Sequence, residues 1–320
     1  MLSRHRRETS VALAIAVLCG ALAVVRPEYF AGGHLIDLFL ANLPVLIIAA
    51  GMTMVMLTGE IDISVGSVFA VCAVAAGVLA KSGIPTPLVF VVVCVMGAAI
   101  GAANGSLVAY LRLPSIVVSL AMMIALRDAL RWSTQGAWVQ DLPPDFQWMG
   151  LSQRAYPLAA GALSLTLMAA LGLGLRHTAA GRLLYATGSS PDAARLAGVN
   201  TSLVKLSAFA GLGALTGLAA ILNAMRFNQI PANTGLGLEL KVIAAVVVGG
   251  TAITGGRGTL PGTLLGVVLL GAIGPALTFL GVSAYWERAI QGAIILIAVA
   301  TDALPRRVKP HAAHLSATHA

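Results

Sequence analysis

Long stretches of this chain are apolar on every helical face and are separated by short polar breaks, the pattern of membrane-spanning helices. Runs such as 88–111 and 260–280 lack the alternation that a transmembrane strand of about ten residues carries. With spans of roughly 15 to 25 residues, the pattern predicts helices over 11–25, 34–57, 65–80, 87–110, 115–133, 155–175, 203–224, 239–253, 260–280 and 286–303. The expected fold class is therefore all-α, a polytopic membrane protein with about ten transmembrane helices. Residues 1–304 form one transmembrane domain with a polar loop at 176–205. The Ala/His-rich stretch 305–320, flanked by Pro310, reads as a disordered cytoplasmic tail.

Composition agrees: 58% of residues are hydrophobic and only 10% charged, more apolar chain than one soluble core of 320 residues absorbs. Charge then sets orientation. Twelve of the twenty Lys and Arg residues (Arg4, Arg6, Arg7, Arg112, Arg176, Arg182, Arg195, Lys205, Arg257, Arg306, Arg307 and Lys309) fall on one side if ten spans are threaded. Arg26, Lys81, Arg127, Arg131, Arg154, Arg226, Lys241 and Arg288 are scattered along the other. The basic side faces the cytoplasm, which places both termini and the 176–205 loop there. The net charge of +8 is thus topology, not a nucleic-acid footprint. The run 11–25 behind Arg4, Arg6 and Arg7 has the length of a signal peptide, but the later basic loops fall inside only if it is retained as a first span. Cys19, Cys72 and Cys94 lie in apolar stretches without metal or redox spacing and read as small packing residues.

The longest polar excursion, between Arg176 and Lys205, is structured. Ser190 before Pro191 and Asp192 is a helix-start signal, Ala193, Ala194 and Arg195 continue it, and Gly198 ends it. One short helix held outside the membrane suits docking to a partner.

Two further breaks interrupt the spans. In Gly59-Glu60-Ile61-Asp62-Ile63-Ser64-Val65-Gly66-Ser67, either Asp62 or Ser64 caps the third span, or the segment is a broken helix lining a pathway, a role unwound backbone takes in transporters. The Gly- and Thr-rich stretch 249–262 resembles a nucleotide loop at first glance, but it lacks the lysine and preceding strand of a P-loop, and no dinucleotide fingerprint stands elsewhere. If ATP drives this protein, another subunit hydrolyses it. Gly97/Gly101/Gly105, Gly213/Gly217 and Gly262/Gly266 follow the small-xxx-small spacing of close helix packing.

Four ordered motifs carry a resemblance over nearly the whole chain: the 59–67 segment, Asn104-Gly105, the loop from Gly181-Arg182 through Tyr185 and Gly188 to Arg195 and Gly198, and Glu239-Leu240 running into 244–251. Together they resemble the permease subunits of bacterial sugar ABC importers of the ribose, xylose and arabinose type. The resemblance implies an inner-membrane protein working with a second permease copy or paralogue, two cytoplasmic ATPase subunits that hold the ATP, and a periplasmic sugar-binding protein. This chain itself binds no cofactor or metal and is not an enzyme. On the same resemblance, Gly181, Arg182 and Asp192 to Gly198 form the coupling element, with Asp192, Ala193, Ala194 and Arg195 as the helix seated in the ATPase. Gly136 to Val139 and Leu142 to Pro144 are similar to permeases of the rhamnose and autoinducer 2 branch, whereas Glu60 and Asp128 depart from the family's usual small or polar residues.

A weakly binding sugar channel calls for amides and hydroxyls rather than fixed charges. Asn42, Thr53, Asp62, Ser64, Asn104, Ser119, Asp128, Asn223 and Glu239 are the candidate pathway residues; for the neutral ones interhelical hydrogen bonding is an equal alternative. Asp128 has Arg131 one turn on as an ion-pair partner. Glu239 and Lys241 open the eighth span at the outer face, where they meet the binding protein or anchor the helix end. An ion-coupled secondary transporter is the alternative, but it normally keeps carboxylates or histidines at mid-membrane, where this sequence places few. No metal pair, carboxylate cluster or Ser/His/Asp set supports a membrane enzyme.

Overall fold

The computed structural model describes residues 2–283 and 285–303, so the expected tail at 305–320 lies outside the described residues. They fold into twelve α-helices: α1 (Leu2–Val25), α2 (Gly32–Leu57), α3 (Val65–Lys81), α4 (Thr86–Ala109), α5 (Ser115–Thr134), α6 (Ala155–His177), α7 (Ala179–Ser189), α8 (Pro191–Leu196), α9 (Thr201–Ala224), α10 (Leu238–Val248), α11 (Leu260–Phe279) and α12 (Tyr285–Ala303). Each expected span has its helix, most within a few residues of the expected ends. Six helices are long and apolar enough to cross a membrane, namely α1, α2, α4, α6, α9 and α11. Of the others, α3 and α10 are short, while α5 contains Arg127, Asp128 and Arg131.

Glycine determines which helices meet. The most extensive pairing is α4 on α9, and there Gly97 and Gly101 lie directly on Gly213, while Gly105 abuts Phe209 Cβ and Gly217 abuts the Val93 carbonyl. A Cβ on Gly97 would fall on the Gly213 carbonyl and one on Gly213 on the Gly97 carbonyl, so these backbones touch without intervening side chains. The small-xxx-small spacing therefore marks a real contact: in lipid, where apolar side chains gain nothing by leaving the solvent, close packing is what joins helices. Gly262 and Gly266 of α11 meet Gly249 and the Ala245 carbonyl in the same way. Around this centre α2 touches α9, α10, α11 and α6, and α1, α5, α6 and α12 lie at the periphery.

The connections gather at two opposite ends. At one, Val139 and Ile230 form an antiparallel bridge, Trp148 N–H donates to the Met225 carbonyl (2.8 Å), and Lys81 Nζ donates to the Gln140 carbonyl (2.8 Å). At the other lie 58–64, 178–190 and 249–259, the last tied to α1 by Thr259 Oγ1, which donates to Glu8 Oε1 (2.7 Å). The eighth span is shorter than expected. After Val248, Gly249 and Gly250 (φ +94°) turn the chain so that Thr251 N–H returns to the Val246 carbonyl and Ala252 N–H reaches the Arg257 carbonyl.

Gly213→Leu is expected to lower the thermal unfolding midpoint of the detergent-solubilised protein, since overpacking costs about 1–3 kcal/mol. Gly174→Ala, with nothing within 4 Å of an added Cβ, leaves it unchanged. Equal midpoints for the two variants would contradict the glycine-contact account.

Candidate functional site

Two unwound segments enter the bundle from its opposite ends and meet beside α3. The first is 58–64. α2 ends as Thr58 folds its hydroxyl onto the Val55 carbonyl (2.7 Å) and Gly59 takes φ +82°. Asp62, buried, then accepts from Ser64 N–H (2.8 Å) and Ser64 Oγ–H (2.6 Å), and Asn104 of α4 donates from Nδ2 to Asp62 Oδ2 (3.3 Å) and to Ser64 Oγ (2.9 Å). Three sequence-expected residues are thus one cluster. Neither Asp62 nor Ser64 caps α3 through its first-turn N–H groups: Ser64 stands at the N-cap, but its hydroxyl is engaged with Asp62 and Asn104. Burial pushes the Asp62 carboxyl above the ordinary carboxylate range, and the hydrogen bonds from Ser64 and Asn104 oppose that shift. Asn104 Oδ1, also buried, has no partner among the described residues.

The second segment is 231–237, which descends from the Val139–Ile230 bridge with Gly235 (φ +73°) and Gly237 (φ +81°) supplying turns that other residues adopt only with strain. At its end Glu239 stands in the first turn of α10, half-buried: Oε1 accepts from Gly237 N–H (3.2 Å), while Oε2 is buried, lacks a hydrogen bond, and lies where a Cβ on Gly66 would stand. Lys241, also half-buried, lies 3.6 Å from Glu287 of α12. Arg127 of α5, buried, donates to the Thr234 carbonyl (2.8 Å) and so holds the segment in place. Above it a cavity of about 440 Å³ is lined by Arg131, Gln135, Gly136, Trp138, Ala232 and Asn233.

The remaining expected pathway residues stand apart. Thr53 bonds to the Ala49 carbonyl and to Thr263 Oγ1 of α11 (2.8 Å), and Asn42 packs on Gly271 of α11, so both join helices. Ser119 donates to the Ile116 carbonyl (3.3 Å), and Asn223 is half-buried in the last turn of α9. Asp128 pairs with Arg131 at 3.3 Å with both side chains more than half exposed, as the one-turn spacing predicts.

At the end that carries 58–64, the excursion expected to hold one short helix holds two, α7 and α8. Thr178 caps α7 by accepting from Gly181 N–H (3.2 Å), and Ser190 caps α8 by accepting from Ala193 N–H (3.3 Å), the start signal legible in the sequence. Gly198 (φ +82°) ends the turn beyond α8. Asp192 and Leu196 are almost fully exposed, Ala194 is buried, and Arg195 bonds to Asp192 and to Thr201 Oγ1 (3.1 Å). A clasp fixes this hairpin to the first segment and to the Gly-rich turn 249–259. The Leu57 carbonyl accepts from Gly256 N–H (3.0 Å), and Gly188 is pressed so closely on that carbonyl that a Cβ would occupy its place. Tyr185 Oη donates to the Gly258 carbonyl (2.8 Å), Gly255 packs on Gly59, and Lys205 of α9 pairs with Glu60. Glu60, a departure from the family pattern, thus has a partner.

Nothing in the local sequence around Arg127 or Tyr185 marks these contacts, which arise only when α5 and α7 are folded against segments more than sixty residues away.

Comparison with known proteins follows this geometry. Residues 35–299 match the family model described as branched-chain amino acid transport system / permease component. The chain is 37% identical over 298 residues to the autoinducer 2 import system permease protein LsrC of Salmonella typhi, covering 92% of this chain and 84% of that one. LsrC of Yersinia enterocolitica is 36% identical over 293 residues (92% and 81%), and LsrC of Photorhabdus luminescens 34% over 307 residues (94% and 91%). No solved structure matches the chain. The twelve-helix bundle, its unwound segments and these matches converge on one assignment: the chain belongs to the permease components of sugar-type ABC importers, multi-pass proteins of the inner membrane that work with a binding protein and an ATPase.

Proposed function

We propose that this chain, paired with a second permease copy or paralogue, forms the pore of an ABC importer that carries a monosaccharide or similar small polyol into the cytoplasm by alternating access. Autoinducer 2 is the first candidate, because the relatives above carry it in their names, and rhamnose or another pentose or deoxyhexose follows. The chain threads ten spans, α1 to α6 and α9 to α12, with both termini and the α7–α8 hairpin in the cytoplasm. The binding protein docks at the end formed by 135–154 and 225–237. Two ATPase subunits bind the ATP and seat α8; this chain contributes no cofactor.

One observation carries the proposal: the clasp joins the α7–α8 hairpin to 58–64 through the Leu57 carbonyl. A push on α8 is thereby delivered to Gly59 and Glu60, two to three residues from the Asp62–Ser64–Asn104 cluster, with no flexible linker between. Solute descends from the cavity at Trp138 and Asn233, past Arg127 and Glu239, to Asp62, Ser64 and Asn104. The unpartnered Asn104 Oδ1 offers an amide acceptor to sugar hydroxyls along that route, the kind of group that binds a neutral polyol without a deep well, as conduction requires.

A second reading, ion-coupled secondary transport, gains one observation: Arg127 is buried on the Thr234 carbonyl, and Lys241 pairs with Glu287 where both are mostly shielded. Uptake by the reconstituted assembly separates the two. Import that persists with an uncoupler and stops with non-hydrolysable ATP supports the ABC reading, and the reverse supports ion coupling.

Asn104→Ala removes both hydrogen bonds to the cluster, each loss costing about 1–3 kcal/mol. It is expected to lower uptake at least tenfold with assembly intact, measured as labelled-solute import; wild-type import would contradict the pathway assignment. Leu196→Ser and Arg195→Glu are expected to weaken ATPase association by about tenfold, roughly 1.4 kcal/mol, read by co-purification of the fully inserted permease. Unchanged association in both would remove the coupling role.

A further inference from the structure

A second cavity, about 290 Å³, opens between α2 and α6 at the end that carries 135–154, lined by Ile36, Asp37, Leu40, Trp148, Pro157 and Arg226 among others. Its leaflet rests on the orientation proposed above, while its chemistry is independent of the transport reading. Its chemistry is divided. Arg226 and Asp37 supply opposite charges near enough to feel each other, and Arg226 Nε is buried without a hydrogen-bond partner. Burial disfavours the guanidinium charge, whereas the Tyr156 and Asp37 oxygens favour it. Ile36, Leu40 and Pro157 supply the apolar part of the lining, and half-exposed Ile36 and mostly exposed Leu158 add apolar surface on α2 and α6 beside it.

The cavity is a built feature. Trp148 is held at φ +56° and Met149 at φ +58°, left-handed conformations that bulky side chains avoid. Trp148 N–H donates to the Met225 carbonyl, and its ring meets Tyr156 edge-on at 5.3 Å, while Arg226 lies 5.2 Å above the Phe227 ring. Trp148 and Phe227 stand in the segments just outside α6 and α9, and aromatic rings beside the ends of spanning helices mark the interface of bilayer and water. A cation and an anion over an apolar trough at that level complement a molecule with both charges in its head and hydrocarbon below.

We propose that this cavity binds the headgroup of a zwitterionic phospholipid of the outer leaflet, with Arg226 on the phosphate, Asp37 on the ammonium, and an acyl chain along the α2–α6 groove. An anionic lipid satisfies Arg226 but leaves the Asp37 carboxylate facing another negative charge.

Native mass spectrometry of the delipidated full-length chain, with phosphatidylethanolamine or phosphatidylglycerol added, tests the assignment. Wild type is expected to retain the ethanolamine lipid at least fivefold better than the glycerol lipid. Arg226→Gln loses that retention by at least fivefold, Arg226→Lys restores part of it, and Asp37→Asn removes the preference by raising retention of the glycerol lipid. Equal retention of both lipids by wild type overturns the proposal, as does undiminished retention by Arg226→Gln. Loss of binding-protein docking in Arg226→Gln with lipid retention unchanged also overturns it, and assigns the cavity to the protein partner.

Discussion

Backbone that leaves a helix inside a membrane bundle has to find its hydrogen bonds and contacts in neighbouring protein, because lipid offers none. That constraint shapes the centre of this molecule. Segments 58–64 and 231–237 are both unwound and partly buried, the first satisfied by Asp62, Ser64 and Asn104, the second held by Arg127 on the Thr234 carbonyl. Enclosure this close works only where side chains are missing. Gly66 faces Gly235 and Glu239, Gly59 faces Gly255, and Gly188 faces the Leu57 carbonyl. Replace any of these with a larger residue and the carbonyls and N–H groups that now pair are pushed apart.

The same requirement connects the centre to the α7–α8 hairpin. The last carbonyl of α2 is left without an intrahelical partner by the turn at Thr58 and Gly59, as the final carbonyls of any helix are. It is satisfied by Gly256 N–H from a turn some two hundred residues away, with Gly188 of α7 packed over the bond. One carbonyl thus ties together the end of α2, the end of α7 and the turn after α10, so α7 and α8 are held against both segment 58–64 and the start of α11.

Much of this was legible in the sequence, and the exceptions have physical causes. Spans are visible because lipid demands sustained apolar runs, and glycine spacing marks Gly97, Gly101 and Gly213 as sites of close packing, though not which helix meets which. The cap at Ser190 and the stop at Gly198 are local chemistry, readable residue by residue. The helix α7 is not: it is eleven residues long with two glycines, and it stands because Gly181 and Gly188 dock on Leu175 and Leu57. Arg127 looks like one more scattered charge until 231–237 folds back against it, and nothing local sets the Glu239 carboxylate on Gly66. The end of α10 was overrun because Ala252 and Ile253 continue the apolar run, whereas Gly249 and Gly250 have already turned the chain. Long-range contacts that satisfy unwound backbone leave no periodic trace.

The central claim is that the α7–α8 hairpin moves as one body with the turn 249–259. Electron-spin distance measurement on one labelled permease copy within the assembled importer tests it directly. One pair of labels joins exposed positions Leu196 and Arg257 across the clasp, and a second joins Leu196 to Trp138 at the opposite end. Between nucleotide-free and nucleotide-trapped states the account predicts an unchanged distance for the first pair and a shifted one for the second. A change across the clasp as large as that across the bundle would contradict it.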